Sequence, residues 1–346
     1  MEAKHETTSH ELQSTGEDTW LAKLGPGLVT GAADDDPSGI ATYSQAGAQF
    51  GYGMLWSLWL TYPLMVGIQL ISAQIGRVSG HGLATNIRRH YPAWLLYSLV
   101  SLLVVANTIN VAADISAMAD ASKLLLGGST HVYVMFFGML SLLLQVFIPY
   151  TRYVRVLKWL TLALLAYVAT VFMVNIPWAT VIKETVLPHI QWKQQYITTL
   201  VAVFGTTISP YLFFWQASQE VEELNADPDA RPLKKAIQQA PSQLSRIKTD
   251  TLIGMGFSNL VAFFIVLTTA VTLNAHGITD IQTSAQAATA LRPIAGQFAF
   301  LLFCIGIVGT GLLAVPVLAG SAAYAMAGAF RWQNSLESSA MAAKEF

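Results

Sequence analysis

Long apolar stretches, separated by short polar segments, occupy most of this chain of 346 residues. Each stretch approaches the roughly 20 residues that an α-helix needs to cross the hydrocarbon core of a bilayer. The pattern predicts an all-α, polytopic membrane protein with about eight spans, at residues 26–46, 53–76, 93–119, 131–150, 157–176, 195–217, 251–274 and 295–328. The last span is long, and Pro316 together with Gly320 predicts a bend or a turn inside it.

The polar segments predict three parts of the chain. Residues 1–22 are predicted to form a disordered cytoplasmic tail, residues 23–330 a transmembrane domain, and residues 331–346 a polar C-terminal end. Within the domain, residues 218–248 predict a polar cytoplasmic connection. Its glutamates are expected to form a solvated face, with Glu220 close enough to the sixth span to line a cytoplasmic exit.

The composition supports a membrane protein. Hydrophobic residues make up 53% of the chain and charged residues 11%, against a charged share of about 25% in soluble domains. The bilayer is therefore a partner, and a net charge of −1 gives no reason to expect a nucleic acid. The single cysteine, Cys304, lies in an apolar run, which predicts packing rather than a disulfide. The sequence carries no His/Glu metal motif and no nucleophile–base pair that would indicate an enzyme.

The distribution of basic residues predicts the orientation, because loops rich in Lys and Arg stay in the cytoplasm. With the N-terminus inside, the loops on the other side keep only Lys123, Lys183, Lys193 and Arg292. The inner loops then carry Arg77, Arg88, Arg89, Arg152, Arg155, Lys158, Arg231, Lys234, Lys235, Arg246 and Lys248. We therefore expect an integral protein of a bacterial inner membrane with a cytoplasmic N-terminus.

The first span contains a break and three consecutive aspartates, which end at Asp36. An ionisable residue at membrane depth is costly, so it indicates a functional site. Pro37 lacks an N–H and leaves the carbonyl of Ala33 without its helical partner, while Gly39 permits a bend. The sequence thus predicts two half-helices that meet at an unwound stretch, as in the ion sites of secondary transporters.

The sixth span has a similar interruption. Pro210 frees the carbonyl of Thr206, and the hydroxyls of Thr207 and Ser209 can line a cavity there. Two interrupted spans, the first and the sixth, predict a LeuT-like inverted repeat with a site near the middle of the membrane. For the sixth span taken alone, an ordinary proline kink explains the sequence equally well.

Four short motifs carry a resemblance to a known family. They are Gly25-Pro26-Gly27, Asp36-Pro37-Ser38-Gly39, Gln45-Ala46-Gly47 with Phe50-Gly51-Tyr52, and Ser209-Pro210-Tyr211. Together they resemble the natural-resistance-associated macrophage protein (NRAMP) transporters of divalent metals. The resemblance implies that a divalent metal ion is the substrate and that no cofactor is needed. It places the metal ligands at Asp36, Gly39, Ser209 and the carbonyls of Ala33 and Thr206.

Two of these positions depart from the family pattern. Ser209 stands where most members carry a methionine, and Gly39 stands where they carry an asparagine. The remaining ligands are hard oxygens with extra room for water, which suits Mg²⁺ and also Mn²⁺. The chain therefore resembles the magnesium-transporting branch of the family. The alternatives are proton-coupled uptake of Mn²⁺ or Fe²⁺, an amino-acid transporter of the same architecture, and a sensor that does not transport.

Further polar residues are assigned to the pathway. Asp35 is expected in a water-filled approach, and Asp34 in a helix–helix hydrogen bond or a vestibule. Asn107, Asn110 and Asp114 share one face of the third span, where they either line the pathway or join helices.

The family resemblance also bears on proton coupling and on length. Family members place histidines where this chain has Tyr211 and Gln216, so weak or absent proton coupling is expected. Family members also carry two or three further spans, so the second repeat is expected to be incomplete.

Overall fold

The structure is a computed structural model, which describes residues 26–147, 165, 168–169 and 176–332. The described part is built of α-helices joined by short connections. The helices are α1 (Pro26–Asp34), α2 (Pro37–Phe50), α3 (Leu55–Ser79), α4 (Leu83–His90), α5 (Ala93–Leu126), α6 (Thr130–Phe147), α7 (Trp178–Val186), α8 (Gln194–Thr207), α9 (Pro210–Ala226), α10 (Ala240–Thr272) and α11 (Ser284–Phe330). This architecture agrees with the predicted all-α class.

Six helical stretches of the described residues are long and apolar enough to cross a membrane. They are Pro37–Ser79, Ala93–Leu126, Thr130–Phe147, Gln194–Ala226, Ile237–His276 and Gly296–Phe330. The first stretch contains the second predicted span and the second half of the first, whose beginning is the separate helix α1. The predicted span at 157–176 lies almost wholly outside the described residues.

Helix α10 packs backbone to backbone against both halves of the first span. A Cβ atom on Gly31 of α1 would lie 2.1 Å from the carbonyl oxygen of Gly254. A Cβ atom on Gly47 of α2 would lie 2.2 Å from the carbonyl oxygen of Val266. Small residues permit such close approach between membrane helices. These glycines therefore fix α10 alongside the interruption between α1 and α2.

Helix α11 differs from the prediction for the last span. Its non-helical residue is Gly296, with φ 87° and ψ 172°, a conformation that glycine adopts without a Cβ clash. The helix continues through Pro316 to Phe330, so the predicted turn at Pro316 is wrong. Packing offsets the missing hydrogen bond, since the neighbouring Val315 and Val317 are buried.

The predicted solvated face of residues 218–248 is wrong for Glu220. Helix α9 continues to Ala226, so the glutamates lie on a helix rather than in a connection. Glu220 is fully buried, and its Oε2 lies 2.5 Å from Nη2 of Arg246 on α10. Arg246 also contacts Glu223 at 3.1 Å. A buried carboxylate needs such a partner, and the sequence alone does not indicate which arginine supplies it.

Candidate functional site

The first break lies between α1 and α2, and Asp36 caps the second half-helix. Asp36 has extended backbone angles, φ −69° and ψ 163°, as expected for a residue before proline. Its Oδ1 accepts hydrogen bonds from the N–H of Gly39 at 2.6 Å and from the hydroxyl of Ser38 at 2.7 Å. Aspartate is favoured at this position because it satisfies N–H groups of the first turn. The aspartate–proline pair therefore ends one helix and starts the next.

The second break lies between α8 and α9. Ser209 is extended, with φ −83° and ψ 121°, and Pro210 follows at the start of α9. The hydroxyl of Ser209 donates a 2.7 Å hydrogen bond to the carbonyl of Thr206. This is the carbonyl that Pro210 was expected to free. A bond from a serine hydroxyl three residues along is a local pattern that the sequence could have indicated.

The two breaks face each other. A Cβ atom on Gly39 would lie 3.1 Å from Oγ1 of Thr206 and 3.2 Å from Oδ1 of Asp36. Nearby, the hydroxyls of Tyr43 on α2 and Thr207 on α8 are 3.1 Å apart. Any side chain at position 39 would thus project between the carboxylate of one break and the hydroxyl of the other. The structure brings Asp36, Gly39 and Thr206 together.

The carbonyl of Ala33 also has a hydroxyl partner. Tyr211, the first residue after Pro210, reaches across and donates a 3.0 Å hydrogen bond to this oxygen. Both carbonyls freed by the prolines are therefore occupied by hydroxyl groups in this conformation. The Tyr211 contact joins residues far apart in the chain, so sequence reasoning missed it.

The other two aspartates of the first break turn toward α10. Ser258 donates a 2.6 Å hydrogen bond to Oδ2 of Asp34, and its hydroxyl lies 3.5 Å from Oδ1 of Asp35. Each of these aspartates has only 1% of its surface exposed. Asp34 thus makes one of the two contacts that we considered, a helix–helix hydrogen bond. Asp35 is buried in this conformation instead of facing a water-filled approach, because the bend turns both side chains inward.

Asp114 of α5 lies at the start of α2. Its Oδ1 accepts a 3.2 Å hydrogen bond from the N–H of Ser38, whose hydroxyl binds Asp36. Asp114 has no exposed surface, and its Oδ2 has no hydrogen-bond partner among the described residues. Two carboxylates therefore share the first turn of this half-helix, whose positive dipole end favours negative charge.

The neighbouring asparagines of α5 lie elsewhere. Asn107 donates to the carbonyl of Leu318 at 2.8 Å and to the hydroxyl of Ser321 at 2.9 Å, so it joins α5 to α11. Asn110 is half-buried. The three residues of the predicted polar face therefore do not act together. Asp114 is the one that contacts the first break.

The remaining predicted pathway residues lie along α9. Gln216 donates a 2.9 Å hydrogen bond to the hydroxyl of Thr251 on α10. Glu220 lies one turn further on and pairs with Arg246. Tyr211 contacts the first break, whereas these two residues join α9 to α10 toward the end that carries the basic connections.

Three cavities that share lining residues lie between the opposite end of the bundle and the first break. They have volumes of about 620, 200 and 310 Å³. The outer two share Gln49, and the inner two share Gln45. The innermost cavity ends at Pro37 and Ser38. Along α2, the polar residues that line the cavities are spaced four, three and four residues apart, at Ser38, Thr42, Gln45 and Gln49. This helical spacing gives α2 one polar face along the cavities.

The donors at the facing breaks are oxygen atoms from a carboxylate, hydroxyls and carbonyls. Within the described residues, no group of three or more His, Cys, Asp or Glu side chains is placed to hold a metal ion. Backbone oxygens and hydroxyls would therefore have to complete a metal site at Asp36.

Two discontinuous helices whose breaks face each other, inside an all-α membrane domain, define a secondary transporter of the LeuT-like architecture. The sequence matches the family model described as natural resistance-associated macrophage protein-like, Nramp, over residues 27–344. The chain belongs to this family, as its motifs predicted. It is thus an integral membrane protein and a divalent-metal transporter, not an enzyme.

Solved structures of one transporter share the fold. A manganese transporter of Eremococcus coleocola, in complex with an aromatic bis-isothiourea substituted compound, superimposes with a TM-score of 0.74 at 17% identity. The match covers 95% of this chain and 70% of that chain. Two mutants of the same transporter match with TM-scores of 0.74 and 0.73, each covering 93% of this chain and 69% of the mutant at 17% identity. At this identity the likeness establishes the architecture.

Proposed function

We propose that this protein carries Mg²⁺ across the membrane by alternating access around the two facing breaks, with Mn²⁺ as a competing substrate. The ion is held by the carboxylate of Asp36, the carbonyls of Ala33 and Thr206, and the hydroxyl of Ser209. The observation that carries the proposal is the chemistry of these donors, which are all oxygens. Hard oxygen ligands favour Mg²⁺ and Mn²⁺ over softer metals.

The absence of a side chain at Gly39 supports a partly hydrated ion. Gly39 supplies no ligand atom, and the oxygens nearest to the place of its Cβ are Oγ1 of Thr206 at 3.1 Å and Oδ1 of Asp36 at 3.2 Å. We infer that water supplies the ligand that a side chain at this position would have supplied. Mg²⁺ loses its water reluctantly and is usually held through one or two carboxylates plus waters. A site with few protein ligands and room for water therefore suits Mg²⁺.

Proton-coupled uptake of Mn²⁺ or Fe²⁺ is the second candidate. It is favoured by the architecture, since the similar solved structures are of a manganese transporter. It is disfavoured by Ser209, which offers a hydroxyl where a softer metal prefers sulfur. An amino-acid substrate is disfavoured because Asp36 and Asp114 already occupy the N-terminal turn of α2 that would have to bind its carboxylate.

The driving force follows from the charge of the ion. A divalent cation entering a cell gains about 4.6 kcal/mol per 100 mV, twice the ~2.3 kcal/mol of a single charge. Transport of Mg²⁺ down the potential therefore needs no proton coupling.

We further propose a bacterial inner membrane location with a cytoplasmic N-terminus, supported by the basic connections on one side of the chain.

Uptake into proteoliposomes tests the function. We expect Mg²⁺ entry, weaker Mn²⁺ entry, and loss of both in Asp36→Ala. Asp229→Asn, in an exposed connection, is the matched control and should transport like the wild type. Equal uptake by Asp36→Ala and the wild type would contradict the proposed site.

Selectivity is tested at position 209. Ser209→Met supplies the sulfur of the typical family member and should shift the Mn²⁺/Mg²⁺ uptake ratio about tenfold toward Mn²⁺. Ser209→Ala removes the hydroxyl without adding sulfur and should not produce this shift. A wild type that takes up Mn²⁺ but no Mg²⁺ would favour the second candidate.

A further inference from the structure

We propose a second cation site outside the two breaks, in which a hydrated divalent cation rests beside Asp120 before it reaches Asp36. The site is the innermost of the three cavities, between α2, α5 and the start of α11. This inference rests on the proposed function, because it supplies the step that precedes binding at the breaks.

The cavity is large enough for an ion that keeps its water. Its volume is about 310 Å³. At ~30 Å³ per water molecule, an ion with six waters needs roughly 180 Å³. A hydrated Mg²⁺ therefore fits without losing a ligand, which matters because this ion loses water reluctantly.

The lining suits a hydrated cation. Thr42 and Gln45 face the cavity from α2, Ser116 from α5, and Gln282 and Thr283 from the connection before α11. Their hydroxyls and amides can accept hydrogen bonds from the water around an ion.

Asp120 supplies the charge of this cavity. It is the one charged side chain among the residues that line it in the described part of the chain. The outermost cavity is different, since Lys193 and Asp280 bring one charge of each sign. A cation that enters this path therefore meets its first uncompensated lining charge at Asp120.

The inner end of the cavity leads directly to the proposed metal site. Ser38 lines the cavity, and its hydroxyl donates to Oδ1 of Asp36 at 2.7 Å. Asp120 lies six residues beyond Asp114 on α5, which is about 9 Å along a helix. Asp120 lines the cavity, whereas Asp114 is buried and contacts the N–H of Ser38 at the start of α2. A lone carboxylate in the cavity raises the local cation concentration without stripping its water.

Cysteine labelling tests the site separately from transport. Ser116 is exposed and lines the cavity, whereas the native Cys304 is buried, so Ser116→Cys gives a specific target for a membrane-impermeant thiol reagent. We expect Mg²⁺ to slow labelling of Ser116→Cys in proteoliposomes. Adding Asp120→Asn should raise the half-protecting Mg²⁺ concentration about tenfold. Adding Asp229→Asn, in an exposed connection outside the three cavities, should leave it unchanged.

A third variant, Ser116→Cys combined with Asp36→Ala, distinguishes the site beside Asp120 from the site at the breaks. Protection should persist when Asp36→Ala is added, because the ion beside Asp120 does not need the inner carboxylate. Protection lost with Asp36→Ala, unaffected by Asp120→Asn, or absent from the parent variant would overturn the proposal.

Transport measurements complete the test. Asp120→Asn on the otherwise native chain should raise KM for Mg²⁺ about tenfold and leave kcat unchanged. A fall in kcat with unchanged KM would contradict the site. Failure of the proposed function would instead appear as a wild type that takes up no Mg²⁺ although Mg²⁺ still protects Ser116→Cys.

Discussion

The hydroxyl of Tyr211 donates a 3.0 Å hydrogen bond to the carbonyl oxygen of Ala33, the oxygen that Pro37 deprives of a helical partner. Ser209 does the same for the carbonyl of Thr206 at 2.7 Å. The carbonyls that we propose as metal ligands are thus satisfied by neighbouring hydroxyls in this conformation. A metal ion has to displace or share these hydrogen bonds. The hydroxyl of Tyr211, which is not among the proposed ligands, therefore lowers the affinity for the ion and stabilises the metal-free protein.

Tyr211→Phe tests this competition. The variant leaves the buried carbonyl of Ala33 without a donor, which should reduce the stability of the metal-free protein by about 1–3 kcal/mol. Mg²⁺ should bind several-fold more tightly, because it no longer displaces a hydroxyl. Calorimetric titration and thermal unfolding in detergent measure the two effects. Tyr324→Phe, whose hydroxyl contacts Glu222, is the control. Unchanged or weaker Mg²⁺ binding by Tyr211→Phe would contradict the competition.

Gly39→Ala should impair transport more than it impairs folding. Its Cβ would lie 3.1 Å from Oγ1 of Thr206 and 3.2 Å from Oδ1 of Asp36, in the space we assign to water around the ion. We expect Mg²⁺ uptake to fall about tenfold, which corresponds to about 1.4 kcal/mol. Gly138→Ala, where a Cβ would meet no atom within 4 Å, should transport normally. Normal uptake by Gly39→Ala would place the hydrated ion elsewhere.

Asp114→Asn removes a charge and keeps a hydrogen-bond acceptor. The amide oxygen can still accept the N–H of Ser38, so thermal stability should change little. Mg²⁺ affinity should fall several-fold, since one of two carboxylates at the start of α2 is neutralised.

Uptake by the wild type should carry no metal-dependent proton flux, measured with a pH-sensitive dye inside liposomes. A flux that Asp114→Asn abolishes would instead identify a proton carrier.

The Glu220–Arg246 pair predicts a thermodynamic coupling. Glu220 has no exposed side-chain surface and Arg246 is 24% exposed, so Arg246→Met leaves a buried carboxylate with only weak compensation. Removing one partner of a buried pair costs about 3–5 kcal/mol. The double variant with Glu220→Gln should regain most of this loss, as measured by thermal unfolding. Additive losses in the double variant would show that the two side chains do not interact.

Local rules predicted the breaks, whereas contacts between distant parts of the chain decided how they are completed. Pro37 and Pro210 each follow a residue with extended backbone angles and each begin a half-helix, as the restriction on the residue before a proline predicts. Proline alone is not sufficient, since α11 continues through Pro316. Ser258 could not have been chosen in advance, since its contact with Asp34 joins residues 224 apart. The burial of Asp35 and the pairing of Glu220 with Arg246 depend on the packing of α10 in the same way.

The contacts of Gly31 with Gly254 and of Gly47 with Val266 restrict how the protein can move. With backbones in direct contact at both points, neither half of the first span can tilt toward α10 without a steric clash. We therefore expect α1, α2 and α10 to turn together as one rigid unit when access alternates, while the remaining helices slide past it. Distances between spin labels within the unit should stay constant on addition of Mg²⁺, and distances from it to α5 should change. The close contacts at the two glycines would then hold α1, α2 and α10 together as this unit moves with the bound ion.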